Sequence, residues 1–299
     1  MSFLTFALAV LVSLQAAPAA PPPDTEIFLA TLSVSGRDVR IGAPANISNN
    51  PGYDNQPSFT PDGASVLFTS MRGGAAQTDI YRYDIAARQV ARVTDTPESE
   101  YSPTITPDGA HISVIRVEGD KTQRLWQFTR DGRQPSLVLT DIKPVGYHAW
   151  IDDHTLCLFV LGSPATLQLA DTRTGKAQEL AKDIGRSLQW VPGRGTISFV
   201  VREPGATGAK PTLSIREFNP RTGTTAAVVK AVNGAAEADC AWTPDGLLLM
   251  AHGGWLYGWR RGDADWQRIA DLQPLGLAGV SRIAVSPTGD RIAFVAQGK

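Results

Sequence analysis

Cysteine is scarce in this chain, which holds only Cys157 and Cys240 among 299 residues. The repeats described below place these two cysteines two repeats apart, too far for a disulfide, so we expect two buried thiols that pack as small hydrophobic side chains. The sequence contains no Cys-x-x-Cys, no His-Glu-x-x-His and no Gly-x-Ser-x-Gly. Their absence removes the strongest signatures of a zinc site and of a serine hydrolase.

An excess of charge of either sign is also lacking. The chain has 28 Lys plus Arg against 29 Asp plus Glu, a net charge of -1, and no basic block. This composition argues against electrostatic capture of nucleic acid or of an anionic lipid surface. Hydrophobic residues make up 42% and charged residues 19%, as in ordinary globular proteins, so the chain is able to form a large core.

The N-terminal stretch has no charged side chain at all. Its apolar run, Phe3–Leu14, is too short for a comfortable membrane span, and the small residues Ala17-Pro18-Ala19 follow it. We therefore predict a secretory signal peptide over residues 1–20, cleaved near Ala19 or Ala20, and a periplasmic or secreted protein without a membrane span after cleavage. The Lys or Arg that usually precedes such a run is missing, so an uncleaved N-terminal anchor stays open as the alternative.

A short pattern, Ser58-Phe59-Thr60-Pro61-Asp62-Gly63, organises the rest of the chain because its turn occurs six times. The copies read Pro61-Asp62-Gly63, Pro107-Asp108-Gly109, Asp152-Asp153-His154, Pro192-Gly193-Arg194, Pro244-Asp245-Gly246 and Pro287-Thr288-Gly289. Their first positions lie 46, 45, 40, 52 and 43 residues apart. A period in the forties is typical of β-propellers, in which each repeat is one small sheet.

The segment from Gln56 to Thr94 shows the expected blade. Four short strands are separated by a Pro-Asp-Gly turn, a loop and a second turn, and Gly63 is expected to take the left-handed conformation that closes the first hairpin. The second strand of several repeats is a nearly continuous apolar run, such as Leu247–Met250. Such strands are buried on both faces, which requires the blades to stack against one another.

The last repeat supplies only two strands before the sequence ends, and the missing pair is found at the other end. Residues 26–31 match a third strand, and residues 37–48 contain a fourth. We predict an all-β fold, a six-bladed β-propeller of four-stranded antiparallel blades closed by N-terminal strands. Its domain covers residues 26–299, preceded by a proline-rich spacer at 21–25. Pairing the two ends in one sheet removes an open edge.

Three tryptophans occupy one position in their repeats, two residues before the turn. Trp150, Trp190 and Trp242 lie on the first strands, next to smaller residues. Because large apolar side chains usually serve the core, we expect all three to pack between blades rather than to stack on a ligand.

The segment Pro57–Gly63, followed by a strand and by Asp79-Ile80-Tyr81-Arg82-Tyr83-Asp84, resembles the WD-repeat-like propeller repeats of the TolB family. The resemblance covers roughly residues 26–295 and is degenerate in the middle repeats. It implies an exported envelope protein whose propeller binds another protein. TolB proteins carry a separate α/β domain before the propeller, whereas here only a few residues separate the signal from the first strand. The chain thus looks like a stand-alone TolB-like propeller.

The start of each first strand, five to seven residues before the turn, is where we expect polar groups to converge on the axial mouth of the ring. The candidate binding residues are Asp54, Asn55, Gln56, Glu100, Tyr101, Tyr147, His148, Arg186, Glu237, Asp239 and Arg282. The alternative for the same residues is that they are solvated loop residues that lock neighbouring blades together. No catalytic residue and no metal ligand is assigned.

Two functions follow from these expectations. The first is a monomeric, non-catalytic module that binds an envelope protein, a peptide or a small molecule. The second is a lactonase-like hydrolase of small molecules with calcium or magnesium at the axis, since Asp54, Glu100, Glu237 and Asp239 offer the oxygen ligands such ions prefer. No other cofactor is predicted. Arg186 and Arg282 near the same axis count against a cation site.

Overall fold

The computed structural model describes residues 22–74, 77–205 and 211–298, and these residues form an all-β ring. The predicted signal peptide lies outside the described residues. Within the described ranges there is no helix long and apolar enough to cross a membrane.

The strands follow the repeat along the chain. In order they are β1 (Thr25–Ser35), β2 (Asp38–Ile41), β3 (Ala45–Asn46), β4 (Asp54–Phe59), β5 (Ser65–Ser70), β6 (Asp79–Asp84), β7 (Gln89–Arg92), β8 (Ser99–Ile105), β9 (His111–Val117), β10 (Gln123–Thr129), β11 (Ser136–Leu137), β12 (Val145–Trp150) and β13 (Thr155–Val160). The remainder are β14 (Thr166–Asp171), β15 (Lys176–Lys182), β16 (Ile184–Val191), β17 (Thr196–Glu203), β18 (Thr212–Asn219), β19 (Thr224–Lys230), β20 (Cys240–Trp242), β21 (Leu248–His252), β22 (Trp255–Trp259), β23 (Gln267–Asp271), β24 (Arg282–Val285) and β25 (Arg291–Gln297).

These strands make six antiparallel blades, which confirms the predicted fold class. Blades 1 to 5 are β4–β7, β8–β11, β12–β15, β16–β19 and β20–β23, each in sequential order. Blade 6 joins the two ends of the chain, because β24 and β25 are completed by β1 and β2. The seam between the ends is a seven-residue ladder from the pair Thr25 and Gln297 to the pair Thr31 and Arg291. The fourth strand of blade 6 is split, since β3 pairs with β1 at Phe28 while β2 pairs with the far end of β1.

The repeated turn has the expected structure. Gly63 has a φ of 69° and donates its N–H to the Thr60 carbonyl over 2.8 Å. The Asp62 carboxylate accepts hydrogen bonds from the Thr60 hydroxyl, over 2.5 Å, and from the Ala64 N–H, over 3.0 Å. The equivalent Asp108 forms the same pair of bonds. These aspartates therefore shape the turns.

Apolar side chains fill the six seams between blades. In β21, Leu248 and Met250 pack into the cluster shared with blade 4, while Leu249 packs into the cluster shared with blade 6. Alternate side chains of a strand point to opposite faces, so both faces of this strand are buried. Cys157 and Cys240 are free and buried, as expected.

Two of the three tryptophans are locked between blades by a hydroxyl. Trp150 donates its indole N–H to the Ser113 hydroxyl of the preceding blade over 2.9 Å, and Trp242 donates in the same way to Ser198 over 2.9 Å. Each serine hydroxyl also donates to a backbone carbonyl on the first strand of its own blade, Ser113 to Thr104 and Ser198 to Gln189.

The prediction for Trp190 is wrong, because this side chain is 43% exposed. The preceding blade has Cys157 at the position where Ser113 and Ser198 stand, opposite Ala149 in the strand register. A thiol is a weak hydrogen-bond acceptor, so the indole of Trp190 has no hydroxyl to hold it between the blades.

Candidate functional site

An axial cavity of about 750 Å³ is enclosed by the first strands of all six blades. Its mouth, where these strands begin, is lined by Gln56, Ser102, Tyr147, Arg186, Asp239 and Arg282. Its other end, where the repeated turns lie, is lined by Pro61, Pro107, Pro192, Pro244 and Pro287, together with the exposed Trp190. One end of the cavity is therefore polar and charged, and the other is mostly apolar.

Five of the six mouth residues share one position in the repeat. Gln56, Ser102, Tyr147, Asp239 and Arg282 each stand five residues before the start of a turn. Because the ring brings equivalent positions of the blades to the same height, these side chains meet at the axis.

A hydrogen bond crosses the axis at the mouth. Arg282 of blade 6 donates from Nη2 to the Tyr147 hydroxyl of blade 3, the opposite blade, over 2.8 Å. Its guanidinium also lies 4.9 Å from the centre of the Tyr147 ring. Nη1 of the same arginine donates to Asp239 over 3.2 Å, and the Ile283 N–H donates to the second oxygen of that carboxylate over 3.3 Å. We call these three side chains, Tyr147, Asp239 and Arg282, the axial bridge.

Arg186 lies beside the axial bridge on β16. Its strand carries a bulge, since Ile184 pairs with Val201 but Leu188 pairs with Phe199, which leaves two extra residues on β16. Bulges re-aim side chains and occur often beside binding sites. The Nε atom of Arg186 is buried and has no hydrogen-bond partner among the described residues.

Asp54 and Glu100 lie seven residues before their turns and do not line the cavity. Both side chains are fully buried at the junctions between blades. Asp54 is 3.7 Å from Arg72, and burial raises the pKa of its carboxyl to about 6. Glu100 is 3.6 Å from Arg116 and accepts a hydrogen bond from Thr94 over 3.1 Å. Burial raises its pKa to about 7.

These two carboxylates belong to equivalent clamps between blades. The Thr25 hydroxyl donates to the Asp54 carbonyl over 2.9 Å, and the Thr78 hydroxyl donates to the Glu100 carbonyl over 3.0 Å. In each clamp a further hydroxyl accepts a strand N–H, Ser48 in one and Thr94 in the other. For Asp54 and Glu100 the geometry supports the role of locking blades together.

The remaining candidates are spread around the mouth. Asn55 is buried. Tyr101 is partly buried and meets Tyr53 edge to face, with ring centres 6.5 Å apart. His148 lines the cavity wall, and its Nε2 lies 2.7 Å from the Ser113 hydroxyl. Burial lowers the pKa of this imidazole to about 4, so it is neutral at neutral pH.

Each of the four carboxylates that could have held a cation lies beside an arginine. The pairs are Asp54 with Arg72, Glu100 with Arg116, Glu237 with Arg202, and Asp239 with Arg282. Glu237 is exposed and lies off the cavity. Within the described ranges, no group of three or more His, Cys, Asp or Glu side chains is placed to hold a metal ion.

Sequence reasoning missed three features of this region. Tyr53 is next to Asp54. Burial raises the pKa of its hydroxyl, and the nearby charges of Arg282 and Arg186 act in the opposite direction. Ser102 lines the mouth. Trp190 was assigned to packing. Ser102 could have been found from its spacing to Pro107, whereas nothing in the repeat points to Tyr53.

A family model described as the TolB β-propeller domain matches residues 10–150. Beyond residue 150 the described residues continue the same ring of four-stranded antiparallel blades. The described residues therefore have the fold of a TolB-like β-propeller.

Solved structures show the same architecture. The TolB-like propeller resembles a protein described as TolB from Agrobacterium tumefaciens, with 17% identity, a TM-score of 0.66 and coverage of 92% of this chain and 99% of that one. TolB from Acinetobacter baumannii shares 13% identity with a TM-score of 0.57, and the superposition covers 92% of this chain and 65% of that one. An oligogalacturonate lyase in complex with manganese shares 14% identity, with a TM-score of 0.56 over 86% of this chain and 80% of the lyase.

These likenesses concern the fold of the TolB-like propeller. None of the curated proteins matches the chain. Since one propeller fold carries a TolB and a lyase alike, the function has to be argued from the cavity and its side chains.

Proposed function

We propose that this TolB-like propeller is an exported, non-catalytic module of the cell envelope that binds part of a partner protein, a peptide or a small ligand in its axial cavity. The observation that carries the proposal is the mouth, where side chains from six different blades converge on a cavity of about 750 Å³. A concave site with a few convergent polar groups is the usual form of a binding site.

Export is supported by the sequence of residues 1–20, with its short apolar run and its small residues near Ala19. The TolB-like fold of the described residues is consistent with a binding role. The axial bridge, a hydrogen-bonded Arg–Tyr–Asp set, has the polar groups of recognition and no activated nucleophile.

Site-specific photo-cross-linking tests the proposal. A photoreactive phenylalanine analogue replaces Gln189, a polar residue on the first strand of blade 4 that lines the cavity. The matched control carries the analogue at Tyr257 on β22, a third strand away from the axis. Both purified proteins are exposed to an envelope extract of the source organism and irradiated, and the adducts are identified by mass spectrometry.

We expect an adduct that forms at position 189, does not form at position 257, and is suppressed by an excess of the unlabelled parent protein. Absence of any adduct confined to position 189 would contradict binding in the cavity. Both variants must first show the thermal midpoint of the parent, so that a failure to bind is not a failure to fold.

Metal dependence separates this proposal from the cation-dependent hydrolase. Because each carboxylate of the mouth region lies beside an arginine, we expect EDTA, calcium and magnesium to leave the thermal midpoint unchanged. A rise of the midpoint on addition of either ion would favour the hydrolase, since an ion that binds the folded state must stabilise it.

A further inference from the structure

Arg186 is the cation of the mouth that pairs with no carboxylate among the described residues. Among the described residues, Arg282 is paired with Asp239 and donates to Tyr147, but Arg186 forms none of the ion pairs. Its buried Nε also lacks a hydrogen-bond partner in that part of the chain. Arg186 as a whole is half-buried, but its Nε–H is withdrawn from water without an acceptor, which is costly, so an anion that pairs with this guanidinium would relieve the cost.

The backbone around Arg186 is built to hold it there. It lies within the two-residue bulge of β16, between Gly185 and Ser187. A Cβ on Gly185 would lie 3.1 Å from the Cβ of Val200, so the strand approaches its neighbour more closely than most side chains allow. The Ser187 hydroxyl accepts the N–H of Cys240 over 3.2 Å, which ties the bulge to blade 5.

Asp239 cannot fully serve as the missing partner. Burial raises the pKa of Asp239, and the charges of Arg282 and, more weakly, of Arg186 act in the opposite direction, so Arg186 lies near this carboxyl group. Both oxygens of Asp239 are already engaged, one by Arg282 and one by the Ile283 N–H. The mouth therefore holds two guanidinium groups against one carboxylate, an excess of one positive charge.

We propose that Arg186 binds a carboxylate group of the ligand that enters the axial mouth. A planar carboxylate matches the fork of donors on a guanidinium and forms two parallel hydrogen bonds with it. A singly charged group balances the one excess positive charge, whereas a phosphate dianion would leave the mouth with a net negative charge beside Asp239. This inference rests on the proposed function, because it names the chemistry of the group that the cavity receives.

The test uses defined probes with the mature protein. Acetyl-Glu-Glu-Glu-amide and trigalacturonate represent a peptide source and a sugar source of carboxylate, acetyl-Gln-Gln-Gln-amide is the neutral counterpart, and inorganic phosphate is the competing anion. Binding is measured by calorimetry to the parent, to Arg186→Gln and to the matched control Arg202→Gln. Arg202 is an arginine that already has its own carboxylate, Glu237.

We expect at least one carboxylate probe to bind the parent, to bind Arg186→Gln about tenfold or more weakly, and to bind Arg202→Gln as it binds the parent. Which of the two probes binds identifies the source. The proposal is overturned if neither carboxylate probe binds, if phosphate alone binds, if the glutamine peptide binds equally well, or if affinity is unchanged in Arg186→Gln.

Stability gives a second readout that a purely structural arginine would not show. Because Arg186 forms neither a hydrogen bond nor an ion pair with the other described residues, we expect Arg186→Gln to keep or raise the thermal midpoint of the parent. A large fall would assign Arg186 to the framework and overturn the proposal. If an adduct forms at position 189 but does not depend on Arg186, the binding function stands and only the carboxylate chemistry fails.

Discussion

Single hydroxyl groups decide how the tryptophans of the first strands pack. Ser198 accepts the indole N–H of Trp242 and donates to the Gln189 carbonyl, and so joins two blades through one oxygen atom. Where the equivalent residue is Cys157, the tryptophan of the next blade is exposed. The choice between serine and cysteine on one blade thus controls a side chain on its neighbour.

This relation predicts a specific coupling. Ser198→Ala leaves the buried indole N–H of Trp242 unpaired, and we expect the free energy of unfolding to fall by about 1–3 kcal/mol. In a background with Trp242→Phe no indole remains, so the same serine change should cost less. Urea unfolding of the four proteins of this double-mutant cycle measures the difference, and an equal cost in both backgrounds would contradict the coupling.

Glu100 predicts a dependence of stability on pH. Its pKa is raised by burial from 4.5 to about 7. Between these values the folded protein keeps the proton that the unfolded chain has lost, so stability contributed at this site falls as the pH rises through the window. The cost of ionising the buried Glu100 carboxyl is absent below pH 4.5 and is fully present above about pH 7.

We therefore expect Glu100→Gln to gain stability relative to the parent as the pH rises from about 4.5 to about 8, by an amount on the order of 2–3 kcal/mol. Urea unfolding at the two pH values measures it. The matched control is Glu98→Gln, which removes another carboxylate beside the same arginine, Arg116. The control should retain the pH dependence, and a Glu100→Gln difference that does not vary with pH would refute the prediction.

At the scale of strands and turns, contacts between blades constrain single glycines. Gly132, in the turn between β10 and β11 of blade 2, has a φ of 77°, and a Cβ there would lie 1.8 Å from the Val93 carbonyl oxygen of blade 1. Gly109 has a φ of 70°, but a Cβ there would meet no atom within 4 Å. The two positions differ in available space and not in backbone conformation.

Alanine at these two positions separates strain from collision. We expect Gly109→Ala to cost about 1–2 kcal/mol, the cost of a left-handed conformation with a Cβ. Gly132→Ala carries the same strain and the collision, so about 3 kcal/mol or more is expected. Thermal unfolding monitored by circular dichroism compares the two, and equal costs would show that the turn of blade 2 moves freely away from blade 1.

The strands of the blades could be predicted from the sequence, whereas the direction of several candidate side chains could not. The strand at Ser65–Ser70 follows from its apolar run and the turn before it. Asp54 and Gln56, two residues apart, should face the same side of a regular strand. A bulge between Asn55 and Ser58, with Gln56 at a φ of 55°, breaks that alternation and turns Asp54 away from the axis.

Bulges of this kind leave little trace in a single sequence. Ser102 has a φ of 54° beside the bulge of β8, and Glu100 is turned away in the same manner. In blade 6 the first strand pairs without a bulge, and Arg282, five residues before the turn, lines the mouth. The local backbone, rather than the residue type, decided which candidates reach the cavity.

At the scale of the whole molecule, the ring is held shut by the ladder between β1 and β25. Thr31 and Arg291 face each other in this ladder, and the next residue, Leu32, donates its N–H to the Asp290 carbonyl over 2.8 Å. Thr31 and Arg291 therefore form a non-hydrogen-bonded pair, in which the side chains approach most closely.

A disulfide at this pair should stabilise the closed ring. We expect the double variant Thr31→Cys with Arg291→Cys, when oxidised, to be about 2–4 kcal/mol more stable than when reduced, because the bond closes nearly the whole chain into a loop. The single variant Thr31→Cys is the control and should not respond to oxidation. No gain in the oxidised double variant would mean that this seam does not limit unfolding.

The axial bridge also determines how far a long molecule can travel. A ring open at both ends allows a polymer to thread through and to be gripped anywhere along its length. Here the hydrogen bond from Arg282 to Tyr147 spans the mouth between opposite blades, so a chain cannot pass along the axis while this bond holds. A chain end or a short protruding loop can still reach Arg186 beside the bond, whereas a continuous polymer cannot be threaded through the ring.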